Sequence, residues 1–222
     1  MALLGIDTST PASAACVLLD DGESFEVLPE PARLADRPAH ASELLPAVAA
    51  AMERAGLEFG QLDAIAVGVG PGTFTGLRIG LATARALASS AGVPLRPVSS
   101  LAALAQGIDA ELALPLIDAR RGELFAALFG EGGEQLWPPF AATPERVAER
   151  VREAGVEPRA AGDGSIRFRR VLEAAGIGVD ADESRSHVVR ALNVCQLARA
   201  VRDQPPEAVL PEYLREPDAK PQ

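Results

Sequence analysis

The sequence predicts an α/β protein built from two related halves. Short apolar runs that end in polar or glycine turns alternate with stretches of helical period. One such run, Ala64 to Val69, passes directly through a glycine-rich turn into a helix. The opening pattern also returns half a chain later. Leu4-Gly5-Ile6-Asp7, then Ala14 to Leu19 and an acidic glycine turn, is echoed by Leu114-Pro115-Leu116-Ile117-Asp118, then Leu124 to Phe129 and a second glycine turn. The expected units are residues 1–108 and 109–222, each a mixed sheet with helices.

Taken in order, Leu3 to Ile6 is a strand closed by the polar turn Asp7-Thr8-Ser9-Thr10. Ala14 to Leu19 is a second strand, ending at the hairpin signal Asp20-Asp21-Gly22, and Glu23 to Leu28 a weaker third. Prolines make 29–38 a loop. A helix follows over 42–55, with Ser42 as its cap and Glu43 in its first turn. Leu44, Val48 and Met52 recur every four residues, widened by Leu45 and Ala49; Pro46 lies about one turn in, and Gly56 ends the helix. After strand 64–69 and the turn Gly70 to Gly76, a helix runs to about Ser90 and is closed by Gly92 and Pro94. Val93 to Val98 is a short strand, and Ser99-Ser100 caps a short helix through Ala105.

The second half opens with strands at Leu114 to Ile117, Glu123 to Phe129 and Gln135 to Trp137. Thr143 caps a helix to Arg152 with Pro144 at its first position. Arg159 to Ala161 is a strand ending at Gly162-Asp163-Gly164-Ser165. Helices are expected over 166–175 and 188–202, and the tail after Pro205 is irregular.

Composition narrows the chemistry. The apolar fraction is 48% and the charged fraction 23%, ordinary for a globular chain, while aromatics supply only 4%, so Ala, Leu and Val must form the core. No apolar run reaches the length of a membrane span, and Asp7 interrupts the N-terminal one, so the expectation is a cytoplasmic protein. Cys16 and Cys195 lie in apolar runs and read as small core residues. With a net charge of −10 and no basic stripe, the chain should not hold RNA tightly alone. Of its 21 basic residues only Lys220, in the tail, is a lysine, which removes Schiff-base, P-loop and kinase-type clamps from the fold. The two histidines, His40 and His187, form no metal-ligand pair, and a Ser-His-Asp triad would have to use one of them. His40, with no second ligand near it in sequence, reads as a loop or cap residue.

The glycine-rich turn matches neither nucleotide fingerprint. Gly76 is followed by Leu77, not Lys, so it is no P-loop, and Thr75 stands where a Rossmann turn needs its third glycine. Gly76, Gly80, Ala84 and Ala88 form a small-residue stripe, which favours close packing over phosphate binding.

The segment Gly68 to Ala88, GVGPGTFTGLRIGLATARALA, closely resembles the hallmark of the TsaB (YeaZ) family. LLGIDTST, HASELLPAV, VSSLAAL, LIDARRGELF, AGDGS and PEYLRE follow that family's pattern in order, so the resemblance covers nearly the whole chain. It implies an ASKHA fold (actin, Hsp70 and sugar kinases) of two duplicated lobes. It also implies a non-catalytic subunit that pairs with the catalytic subunit TsaD and works with the ATPase TsaE in forming N6-threonylcarbamoyladenosine (t6A) at adenosine 37 of tRNA. The metal motif of the catalytic relative would fall at Ser100 and Leu104, so no metal and no independent transferase activity are expected. Asp7, Thr8, Asp118 and Arg120 sit where ASKHA phosphate loops begin. They are weak nucleotide candidates, with strand-end capping the preferred role, and ATP or ADP is left as a ligand of the complex. Gly162 to Ser165 is read as a helix-capping turn, with an adenosine-loop relic as the alternative.

The same resemblance places the partner interface on the helices 42–55 and 77–90. The candidates there are Leu44, Val48, Met52, Leu77, Arg78, Gly80, Ala84 and Arg85, with apolar stripes facing the protein's own sheets as the competing assignment. Without its partner the same surface would make a homodimer, and tRNA would be met only through the complex. Three alternatives of other classes stand: an ASKHA ATPase or phosphotransferase acting alone, a metallopeptidase, for which ligands are lacking, and a free-standing structural homodimer.

Overall fold

A computed structural model describes residues 1–215; Lys220 and Glu216, the last residue of the PEYLRE motif, lie outside the described residues. The first sheet takes β1 (Leu3–Asp7), β2 (Ala14–Leu18), β3 (Ser24–Val27), β4 (Ala64–Gly70) and β5 (Leu95–Ser99) in the order β3-β2-β1-β4-β5. The second takes β6 (Ala113–Arg120), β7 (Glu123–Phe129), β8 (Gln135–Ala142), β9 (Arg159–Ala161) and β10 (Gly178–Val179) in the order β10-β9-β6-β7-β8. The two orders correspond strand for strand. In each lobe the first strand pairs antiparallel with the second and parallel with the fourth. The echo in the sequence is thus a duplicated topology.

Helices alternate with the sheets. Strand β1 sends Leu4 and Ile6 to one core, shared with α1 (His40–Ala55) and α2 (Phe74–Ala91), and Leu3 to another. That second, central core lies between the sheets, around α3 (Ser100–Ala105) and α7 (Ala191–Ala198), and takes Ile117 and Phe125 from the other lobe. Outside the second sheet, α4 (Pro144–Ala154) and α6 (Arg169–Ala174) cover Leu114, Leu116 and Leu124. Buried on both faces, β1, β2 and β4 read as continuous apolar runs. Helix α7 follows the second sheet in sequence but packs on β1 and β2 of the first.

Left-handed Gly56 and Gly92 end α1 and α2 as expected, and the Thr143 hydroxyl accepts the Arg146 N–H at the start of α4. Five elements differ from the sequence expectation. Helix α1 starts at His40; Ser42 is inside it and donates its hydroxyl to the Ala39 carbonyl at 3.0 Å. Pro46 is the seventh residue of α1, past the first turn, and has no N–H to give the Ser42 carbonyl, so one intrahelical bond is missing there. Strand β8 continues through Pro138 and Pro139, tolerated because it is the sheet edge. The helix expected over 166–175 is two, α5 (Asp163–Arg167) and α6, broken at Phe168. The last helix is shorter than 188–202, and Pro31–Ala35 in the loop forms a 3-10 turn. Among the described residues no helix is long and apolar enough to cross a membrane.

Candidate functional site

The two strand-end aspartates occupy equivalent places in the lobes and do the same job. Asp7 accepts the Ser9 N–H at 2.8 Å and Asp118 the Arg120 N–H at 2.9 Å, each bonding the backbone two residues on. Asp7 is 1% exposed, and its carboxylate also takes the Ser9 and Ser100 hydroxyls at 2.6 and 2.7 Å. Burial pushes its carboxyl up, opposed by those hydrogen bonds. A carboxylate so enclosed has no face to offer a ligand. Thr8 is enclosed too, its hydroxyl donating to the Gly76 carbonyl at 2.8 Å. Asp118 accepts the guanidinium groups of Arg120 at 3.0 Å and Arg167 at 2.8 Å. Its N–H donates to the buried Asp163 carboxylate at 3.1 Å. Burial pushes Asp163 up to about 6.

The glycine-rich turn serves close approach. A Cβ on Gly76 would stand 2.1 Å from the Thr8 carbonyl oxygen, and one on Gly80 2.2 Å from the Thr8 hydroxyl. Helix α2 therefore lies directly on the β1–β2 loop. This corrects the expected interface. Leu44, Val48, Met52, Leu77, Gly80 and Ala84 all face the first lobe's own interior. Arg78 and Arg85 reach the surface but are held by the C-terminal segment. Arg78 lies over the Phe74 ring at 3.8 Å and donates to the Tyr213 hydroxyl at 3.1 Å, while Arg85 donates to the Val209 carbonyl. Tyr213 stacks on Phe74 at 5.3 Å, and the Glu212 N–H donates to the Val69 carbonyl at 2.7 Å.

The outward face of the helix pair is different. Ala41, Leu45 and Ala49 on α1 and Thr75, Ala82 and Ala86 on α2 are exposed, and the helices lie side by side. Leu45 is 53% exposed, large for an apolar side chain beside so many small ones. A four-residue spacing one position along from the core stripe was the available signal.

Ser100 donates to Asp7, and Leu104 is in the central core. Among the described residues there are two Ser–His contacts, both enclosed. Ser13 meets His40 Nδ1 at 2.8 Å, and His187 Nδ1 accepts the Gly162 N–H at 3.0 Å beside Ser165. Neither His carries a carboxylate on its second nitrogen among the described residues: His40 Nε2 has no partner and His187 Nε2 faces backbone carbonyls. Cys16 and Cys195 are both buried thiols. Gly162 to Ser165 is the turn that opens α5, with Ser165 donating to the Gly162 carbonyl.

A cleft of about 680 Å³ opens between the lobes, lined by Thr73, Phe74, Arg120, Arg121, Tyr213 and Arg215 among others. Two duplicated α/β lobes facing each other across such a cleft define an ASKHA-class protein. The same fold is seen in the ethanolamine utilization protein EutJ of Carboxydothermus hydrogenoformans, 15% identical with a TM-score of 0.51 over 87% of this chain and 89% of that one. The family model described as TsaD, tRNA N6-adenosine threonylcarbamoyltransferase, matches residues 27–203. A crystal structure of a Pseudomonas aeruginosa protein with similarity to peptidase YEAZ superimposes with a TM-score of 0.79 at 32% identity, covering 96% of this chain and 99% of that one. The Escherichia coli tRNA threonylcarbamoyladenosine biosynthesis protein TsaB is 34% identical over 168 residues, 71% of this chain and 69% of that protein. The chain belongs to the TsaB (YeaZ) family.

Proposed function

We propose that this protein takes part in t6A formation at adenosine 37 of tRNA as the non-catalytic subunit. It would bind the catalytic subunit TsaD through the outward face of α1 and α2, act in the cytoplasm alongside the ATPase TsaE, and meet tRNA only within the complex. Family membership supports the pathway. The small-residue face carrying half-exposed Leu45, with Glu53 and Arg78 at its edges, supports a role by contact. Small residues let a partner helix approach closely, and Leu45 supplies an apolar anchor. The same face suits a homodimer in the partner's absence. The consumed carboxylates of Asp7 and Asp118 argue against a phosphotransferase acting alone, and we place ATP or ADP as a ligand of the complex, not a tightly held cofactor of this chain.

Gel filtration of this chain with purified TsaD tests the interface. Replacing Ala82→Arg on the exposed face should abolish co-elution while leaving the monomer's melting temperature within a degree or so, since exposed substitutions change stability by about 0.5 kcal/mol or less. Undiminished co-elution of Ala82→Arg and of Leu45→Glu would move the interface elsewhere.

A further inference from the structure

Residues 204–215 follow the last helix and hold only one 3-10 turn, Pro206–Ala208, yet they cross both lobes. Gln204 exchanges two 2.9 Å backbone hydrogen bonds with Leu95 at the edge of the first sheet. Val209 is 1% exposed in the first lobe's core, and its carbonyl accepts the Arg85 guanidinium. From there the segment runs along the start of α2. The Glu212 N–H donates to the Val69 carbonyl at 2.7 Å, and the Glu212 carbonyl oxygen lies 2.8 Å from where a Cβ on Gly70 would stand. Tyr213 stacks on Phe74, and its hydroxyl accepts from Arg78. Leu214 packs against the central core that the lobes share. Arg215 already stands on the other lobe, donating to the Glu123 carboxylate at 2.6 Å and to the Ala119 carbonyl at 3.3 Å.

The crossing runs along one side of the inter-lobe cleft. Residues 212–215 line it together with 72–76 of the first lobe and 118–121 of the second. The attachments upstream of the cleft are deep: a buried Val209 side chain and paired backbone at Gln204. Those at the crossing are shallow. Phe74 and Tyr213 are 38% and 37% exposed, and the Arg215 and Glu123 side chains 32% and 34%. Exposed ion pairs hold weakly. A segment anchored firmly at one end and weakly at the other opens locally without unfolding the rest of the chain.

We propose that residues 212–215 form a strap that gates this cleft, latched to the first lobe by Tyr213 on Phe74 and Arg78 and to the second by Arg215 on Glu123. Anchored at Val209, the strap swings away from the cleft when its latches release. This gating does not depend on the t6A assignment. The test is iodoacetamide alkylation of the whole chain carrying Ala119→Cys, a position 5% exposed in the cleft lining. The buried thiols of Cys16 and Cys195 supply the slow background. Adding Tyr213→Ala should speed alkylation of the introduced thiol at least tenfold while the melting temperature is kept, and Arg215→Ala should speed it as well. Tyr213→Phe, which retains the stacked ring, should stay near the parent rate. Leu136→Ala, which removes a 43% exposed apolar side chain outside the cleft lining, should leave the rate unchanged. Amide hydrogen exchange on the chain without Ala119→Cys reads the same event independently of that substitution. In Tyr213→Ala the Glu212 N–H should lose its protection while the amides of β1 keep theirs. Unchanged alkylation in both latch variants with Glu212 still protected, or a rise as large in Leu136→Ala, would overturn the strap.

Discussion

Asp163 shows how a single buried side chain shapes the pH response. Burial and the nearby Asp118 carboxylate raise its carboxyl to about 6 from an ordinary value of 3.8, while the Asp118 N–H and Arg120 oppose the rise. A group raised in the fold adds stability that is complete below the unfolded value and lost as pH climbs through the folded one. Between about pH 4 and 6 stability from this residue therefore falls, by up to about 3 kcal/mol at one pH-unit equivalence of 1.4 kcal/mol. Asp163→Asn, which keeps an acceptor for the Asp118 N–H, should melt higher than the parent at pH 8. The two melting temperatures should converge as pH falls toward 4. Gly80 is the second residue-scale case. With Thr8 at 2.2 Å from its missing Cβ, Gly80→Leu should destabilise the monomer by about 1–3 kcal/mol or more, as overpacking does. Chemical denaturation would show it as a lowered midpoint, before any partner is added. Sequence alone left this glycine's role open, because a small-residue stripe serves equally to admit a partner helix or the protein's own loop. The contact with Thr8 decides it, and Thr8 is 68 residues away from the Gly76 carbonyl it also bonds.

At the scale of elements, local chemistry was legible and distant chemistry was not. Gly56, Gly92 and the Thr143-Pro144 start announce their helix ends because the cap and the capped group are neighbours. The start of α7 depends instead on Glu26 of β3. Its carboxylate accepts the Arg190 guanidinium at 2.6 and 3.1 Å and the Leu192 N–H at 3.1 Å, so a strand from the first lobe caps a helix from the end of the chain. Nothing near residue 190 signals this. Glu26→Ala should cost roughly 2 kcal/mol, the usual worth of hydrogen bonds to a charged group, read as a lower denaturation midpoint. Arg190→Ala, which leaves the Leu192 N–H bond intact, should cost less. The C-terminal segment was read as irregular for the same reason. It has no period of its own, yet Gln204 pairs with Leu95, Val209 is buried against the α1–α2 core, and Arg215 reaches the second lobe.

Across the whole molecule, the duplication is the feature most plainly written in the sequence. Two strand–aspartate–hairpin patterns half a chain apart became two sheets of matching order. Division at 1–108 and 109–222 stays a proposal, and α7 joins its ends by returning from the second part to the first sheet. The cleft was less legible, since the Phe74–Tyr213 wall and the Arg120–Arg121 turn come from opposite lobes. The proposed account is that the protein would contribute a surface to a modification reaction whose chemistry belongs to another subunit; the scarcity of Lys and His and the hydrogen-bonded carboxylates of Asp7 and Asp118 support it. The direct measurement is t6A formation on unmodified tRNA with purified TsaD and TsaE and a supply of threonylcarbamoyl adenylate, with this chain left out, restored, or supplied alone. The account predicts product only when TsaD and this chain are both present, and none from this chain alone. Full activity without it, or any t6A made by this chain in the absence of TsaD, would contradict the account.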